Sequence, residues 1–329
     1  MAQLAGQLGQ AWTLKYSRDQ EYQSDDLGIR YMTGAGYDPY ESADVLEALG
    51  DQASLEAQIR GRDEAAQIPA WARTHPLSAD RVQRATAQAR QTGVQPGALN
   101  QNGDQFMSAI DGMLYGDSPE QGYTRQHSFL HPQLRLAFEV PDGFYLNNSA
   151  RAVTATSGNS PVQILFSGGS SSGNISNTAQ QALRGILGDA ANSAQVSQVQ
   201  TTTINGMRAA QQQARAAGQS GQVDVTVVAI EYDADTAYYF AFMSPANVNA
   251  SGVISQTVQS FRKLSSSEAA SLQPKVIDVV TVGSGDSVAS LSRRMAVEDY
   301  KEARFRVLND LEDGGEVSPG DRVKIVVNG

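Results

Sequence analysis

The hydrophobic period of this chain changes near Leu134, so it cannot fold as one uniform architecture. Upstream, apolar residues recur at near-helical spacing, as in Leu4, Leu8, Trp12 and Leu14. A second helix is expected from about Ser17 to Thr33, closed where Gly34 and Gly36 supply a permissive C-terminal cap. Asp38, Pro39 and Glu41 read as an N-cap, a first-turn proline and a capping-box partner for a third helix, with Ala43, Leu46 and Leu49 on its buried face. Ser78 caps a fourth, running to about Arg90. From Leu134 the period drops to two: Leu136, Phe138 and Val140 alternate with Arg135, Ala137 and Glu139 before a Pro141-Asp142-Gly143 turn. Val162 to Phe166 is a short buried strand, and Asn177 to Leu187 is a helix. Asn205-Gly206 marks a tight hairpin. Val223 to Ile230 and Ala237 to Met243 pair across Asp233-Ala234-Asp235, and Ser251 to Phe261 closes the unit as a helix.

The fold expected is therefore multi-domain α+β. Its segments are a helical part over 1–92, a Gly-, Gln- and Asn-rich connector over 93–133 with a turn or two of helix, an antiparallel sheet domain with helices over 134–264, a linker over 265–275, and a small βααβ unit over 276–329. A length of 329 residues suits about two or more domains at roughly 150 residues each.

Charge narrows the partners. The net charge of -10 lacks the clustered Lys and Arg that nucleic acid or anionic lipid would need. With no cysteine, disulfides and thiolate metal sites are excluded. No apolar run approaches the roughly 20 residues of a transmembrane helix, and Met1 to Gln10 lacks the pattern of a signal peptide.

The most informative string is Tyr16 to Pro39, YSRDQEYQSDDLGIRYMTGAGYDP. Glu21 and Asp25 are four apart and share a helix face, and Gly28 lies a turn further on, where a second helix could approach. On a generic acidic helix this is a solvated face. The whole string resembles the second metal-binding helix of the zinc metallopeptidase family that includes HtpX and the periplasmic BepA-like proteases, down to the turn Gly34-Ala35-Gly36-Tyr37-Asp38-Pro39. That resemblance implies Glu21 as the third zinc ligand and Asp25 as a carboxylate that orients a ligand histidine. Gln23-Ser24 departs from the Glu-Ala common in the family. Thr74-His75-Pro76 followed by Arg81 resembles a His-Pro segment that the family carries near its active site. It implies His75 as a further metal ligand or a donor to the substrate oxyanion.

The H-E-x-x-H helix is missing. The three histidines are His75, His127 and His131, and none lies in that motif. In the family the motif precedes the Glu segment by a few tens of residues, whereas 20 residues precede Glu21 here, and Met1-Ala2-Gln3-Leu4 resembles the stretch just after it. The chain is thus expected to be the downstream part of a longer zinc endopeptidase acting on protein or peptide in the periplasm or cell envelope, inactive alone and binding zinc weakly or not at all.

His127 and His131 are also four apart, but Pro132 and the strand after it argue for structural roles. The segment that follows resembles the PsbP-like middle domain of these proteases. Its run Ser167 to Gly173 reads as a loop, since no lysine follows to make a phosphate cradle. The C-terminal segment resembles a LysM module: Val280 and Val282, Gly285-Asp286-Ser287, Leu291, Asn309 and Leu311, Pro319-Gly320 and Val323 to Val327 follow its outline, with an insertion at Val297 to Lys301. That resemblance implies a site for N-acetylglucosamine chains such as peptidoglycan at Gly285, Asp286, Ser287 and Asn309. A LysM-shaped unit that only packs or binds protein fits equally well, given the acidic Glu312-Asp313. The alternative to a peptidase fragment is a non-catalytic envelope protein that holds glycan or protein through these two domains.

Overall fold

The structure, a computed structural model, describes residues 18–59, 79–171, 173–218 and 221–329. They form mixed α+β architecture in two compact units. One spans residues 116–274, and the other joins 18–59, 79–115 and 275–329.

Among the described residues the first three helices are α1 (Arg18–Gly34), α2 (Glu41–Ile59) and α3 (Ala79–Gln91). Ile29, Ala43, Leu46 and Ala85 make their shared core. Helix α1 stops at Gly34, and Gly36 takes the left-handed conformation that the following turn requires. Asp38 is fully buried, and its Oδ1 accepts the Tyr40 N–H at 3.0 Å. The expected capping box does not form. Asp38 donates its own N–H to the Asn100 carbonyl at 3.1 Å, while Glu41 accepts from the Gln101 amide at 2.6 Å. The long-range segment 97–101 thus takes the partners that a local cap would have used. Leu49, expected inside, is 38% exposed, and Leu55 fills the buried face further along. A Cβ at Gly28 would meet nothing within 4 Å among the described residues, so no described helix packs closely there. Ser78 and His75 lie outside the described residues. Helix α4 (Gly103–Ile110) follows.

The sheet unit carries β1 (Tyr123–Arg125), β2 (Ser128–His131), β3 (Leu136–Glu139), β4 (Phe144–Asn148), β5 (Val153–Ser157), β6 (Gln163–Ser170), α5 (Ile175–Leu187), β7 (Gln195–Val196), β8 (Gln200–Ile204), β9 (Met207–Gly218), β10 (Gly221–Glu231), β11 (Thr236–Pro245), α6 (Ser251–Ser260), β12 (Arg262–Lys263) and α7 (Ser266–Ser271). The larger sheet runs β4-β5-β6-β11-β10-β9-β7, with β8 also on β9. A second sheet runs β1-β2-β3-β12. Every pairing is antiparallel.

Strand β10 is apolar on both faces because both are covered. Val225 and Val227 pack with Leu183, Ile186 and Leu187 of α5, while Val228 and Ile230 join Phe138, Phe166, Phe240 and Phe261 on the side of α6. Asn205 and Gly206 both take positive φ, the backbone of a two-residue hairpin that links β8 to β9.

Two expectations are corrected here. Ser167 to Ser170 are not loop: they extend β6 and pair with Thr236 to Tyr239. Glycine is required at 168, where a Cβ would lie 2.5 Å from Tyr238 Cδ1 and 2.6 Å from the Ala237 carbonyl oxygen. The 265–275 linker contains α7, which a local Ser265–Glu268 capping box nucleates. The Ser265 N–H, the Ser265 hydroxyl and the Arg262 guanidinium together pull the Glu268 carboxyl pKa down to about 2.

The C-terminal elements are β13 (Lys275–Thr281), α8 (Val288–Arg294), α9 (Lys301–Leu308) and β14 (Arg322–Asn328), in βααβ order with β13 antiparallel to β14. They share a unit with the opening helices. Gly112 and Tyr115 donate backbone hydrogen bonds to Ile277 and Lys275, and Arg304 lies 3.6 Å from Glu56 of α2. No described helix is long and apolar enough to cross a membrane.

Candidate functional site

The spacing of Glu21 and Asp25 puts both carboxylates on one face of α1, and α3 brings Arg81 against them. The guanidinium grips Asp25 with two parallel bonds, Nε to Oδ2 at 2.9 Å and Nη2 to Oδ1 at 2.7 Å. Its third nitrogen, Nη1, sits 3.1 Å from Glu21 Oε2. All three side chains are withdrawn from solvent, at 7% exposure for Arg81, 7% for Glu21 and 12% for Asp25. The planar fork of arginine suits this shared grip, which a lysine ammonium could not reproduce. The Asp25 hydrogen bonds raise the Arg81 pKa further above its ordinary value, so its positive charge is fixed. One turn along, Arg84 pairs with Asp26 at 2.6 Å and lies over the Tyr22 ring.

A zinc ion of the catalytic kind needs three protein ligands around an open position. Glu21 and Asp25 can offer carboxylate oxygens, but both are already engaged by Arg81. No group of three or more His, Asp or Glu side chains able to hold a metal occurs among the described residues. His75 lies outside the described residues, and His127 and His131 belong to the sheet unit. The described donor set therefore does not fit zinc by itself.

This helical segment also has relatives. Residues 1–89 match the model of peptidase family M48. The match relates residues 1–89, within which Glu21, Asp25 and Arg81 lie, to a family of metallopeptidases, and it ends two residues before α3 does. No curated protein sequence matches. Among solved structures, a protein from Bacteroides thetaiotaomicron VPI-5482 is similar at 9% identity and a TM-score of 0.33, covering 52% of this chain and 57% of that one. This chain thus spans little more than half of that protein. Cyanobacterial PsbP (CyanoP) from Synechocystis sp. PCC 6803 is similar at 10% identity and a TM-score of 0.35, covering 45% of this chain and 98% of that one. LpqN, involved in cell envelope biogenesis of Mycobacterium tuberculosis, is similar at 15% identity and a TM-score of 0.30, covering 40% of this chain and 83% of that one.

The histidines of the sheet unit have structural work. His131 ends β2, is buried, and accepts the Leu134 N–H at Nδ1. His127 Nδ1 lies 3.0 Å from the Phe144 carbonyl. Burial pushes the His131 pKa below its ordinary 6.5, against a hydrogen bond to the Glu120 backbone that acts the other way. The unfolded chain therefore binds the proton first. The stability that neutral His131 contributes is present above about pH 6.5 and is lost as pH falls towards the lower folded value. H131N, which keeps a side-chain acceptor, is expected to flatten that slope in thermal midpoints taken from about pH 7.5 to about pH 5. An unchanged slope would remove His131 as its source.

The four C-terminal candidates fall on different elements. Gly285, Asp286 and Ser287 lead into α8. There Asp286 Oδ2 accepts the Gly283 N–H at 2.9 Å, and Ser287 caps the helix through the Ser290 N–H. Asn309 follows α9 and ties it to β14: its amide donates to the Phe305 and Lys324 carbonyls and accepts the Lys324 N–H at 2.7 Å.

Proposed function

We propose that α1, α2 and α3 are the downstream part of a zinc metalloendopeptidase domain, acting on protein or peptide in the cell envelope, and that this chain does not hydrolyse peptides alone. Support comes from one observation: two carboxylates four residues apart are held under one buried guanidinium within the segment related to peptidase family M48. In that domain Glu21 is the carboxylate donor to the metal, Asp25 orients a ligand histidine, and Arg81 keeps both carboxylates in register; His75 adds a ligand or an oxyanion donor. Two imidazoles on one helix face and a glutamate base are also needed, and the sequence has no H-E-x-x-H. The purified chain, given zinc and a quenched fluorescent peptide library, is expected to show no chelator-sensitive cleavage. Zinc-dependent turnover that disappears in E21Q would contradict this.

The βααβ order of β13, α8, α9 and β14 favours a second role, binding of N-acetylglucosamine chains near Gly285, Asp286 and Ser287, with Asn309 bracing α9 against β14. Co-sedimentation of the chain with insoluble peptidoglycan, lost on removal of residues 276–329, is the expected result. Retention after that removal would place the contact elsewhere.

A further inference from the structure

The sheet unit contains a cavity of about 400 Å³ between the end of the large sheet and the start of α6. Its floor is made by neighbouring strands in register. Gln213 of β9 stands beside Thr226 of β10, and Arg215 of β9, Asp224 of β10 and Ser244 of β11 form the next row. Thr226 and Ser244 are 6% and 3% exposed, yet neither hydroxyl has a hydrogen-bond partner among the described residues. Both hydroxyls open onto the cavity, so a ligand there can replace the water that hydrates them without breaking any hydrogen bond within the protein.

The same sheet face makes the contrast plain. A few residues along these strands, Val228, Phe240 and Phe242 are apolar and packed under α6. Thr226 and Ser244 interrupt that face where the covering helix has not yet begun.

The chemistry of the lining selects the ligand class. Arg215 and Asp224 close a bidentate pair at 2.6 and 2.8 Å, so the charged residues of the lining cancel and offer no net pull on an ion. The remaining polar groups are hydroxyls and the amides of Gln195, Gln213 and Asn249, while Val248 and Ile254 form an aliphatic wall. We infer that this cavity binds one neutral saccharide unit, with ring hydroxyls on Thr226, Ser244 and Gln213 and a C–H face on Val248 and Ile254. The volume lies at the small end of ligand sites. No aromatic platform lines it, so affinity rests on hydrogen bonds and is expected in roughly the millimolar range. The inference concerns the sheet unit and stands independently of the peptidase proposal.

The test is amide chemical-shift mapping on the deuterated, ¹⁵N-labelled full chain with glucose, N-acetylglucosamine, inorganic phosphate or acetate, each at about 20 mM. At least one sugar is expected to shift Gln213, Thr226, Ser244 and Asn249, and phosphate and acetate are expected to leave them in place. Because the removed hydroxyls lack partners, T226V/S244A should keep the wild-type thermal midpoint while weakening sugar binding about tenfold. If the double variant does not fold, the wild-type map decides alone. Silence with both sugars, shifts with the anions only, sugar shifts confined to residues 283–311, or full affinity in a folded double variant would each overturn the inference.

Discussion

Replacing Arg81 with alanine is expected to destabilise the helical unit by about 3–5 kcal/mol, because it removes the buried guanidinium that Asp25 and Glu21 share. Glu21 and Asp25 sit at 7% and 12% exposure, and this guanidinium is shared between them. R81K keeps a charge but loses the fork on Asp25, so it should fall between wild type and R81A. Removing the whole set, as R81M with E21L and D25L, should recover most of the loss, since an apolar substitute needs no desolvated charge. These variants are compared by urea unfolding, following the transition of the helical unit separately because the two units need not unfold together. A loss under about 1 kcal/mol in R81A would show the trio to be a peripheral ion pair.

A loss of similar size, about 3–5 kcal/mol, is expected in the other unit for F240A. Phe240 is fully buried, with ring centroids 5.0 Å from Phe138, 4.9 Å from Phe166 and 5.9 Å from Phe261. Truncation empties the middle of this cluster, which joins β3, β6, β11 and the residue after α6. F240L keeps most of the volume and should cost about 1.5 kcal/mol or less. If F240A and F240L lost the same small amount, the cluster would be relaxing into the space, and its tight packing would not be what holds the two sheets.

The strands and hairpins of the sheet unit were legible in the sequence because their signals are local. Alternation placed Leu136 and Phe138 inside, and Asn205-Gly206 marked its own turn. Expectations failed where a distant segment took the partner. Asp38 and Glu41 have the residue types of a capping box, but Asn100 and Gln101 hold them instead. Segment 265–275 looked like a linker because its helix is only six residues long, held by a cap and not by an apolar stripe. The Arg81 grip on Asp25 spans 56 residues, so no periodicity could reveal it. Resemblance put both residues near one site but not in one ion cluster. The cavity was missed as well, although it left a signal: Thr226 sits within the apolar run Val223 to Ile230, and Ser244 directly follows Met243. A hydroxyl within an apolar strand face marks a place where that face is left open rather than packed.

The most direct test of the central proposal is a zinc-binding isotherm of the full chain against a competing chelator dye at neutral pH, for wild type and E21Q. The expected result is no stoichiometric zinc at micromolar concentration in either protein, because Glu21 is one carboxylate, engaged by Arg81, with no H-E-x-x-H helix beside it. Tight one-to-one binding by wild type that E21Q abolishes would contradict it, and would mean that this chain completes a metal site alone.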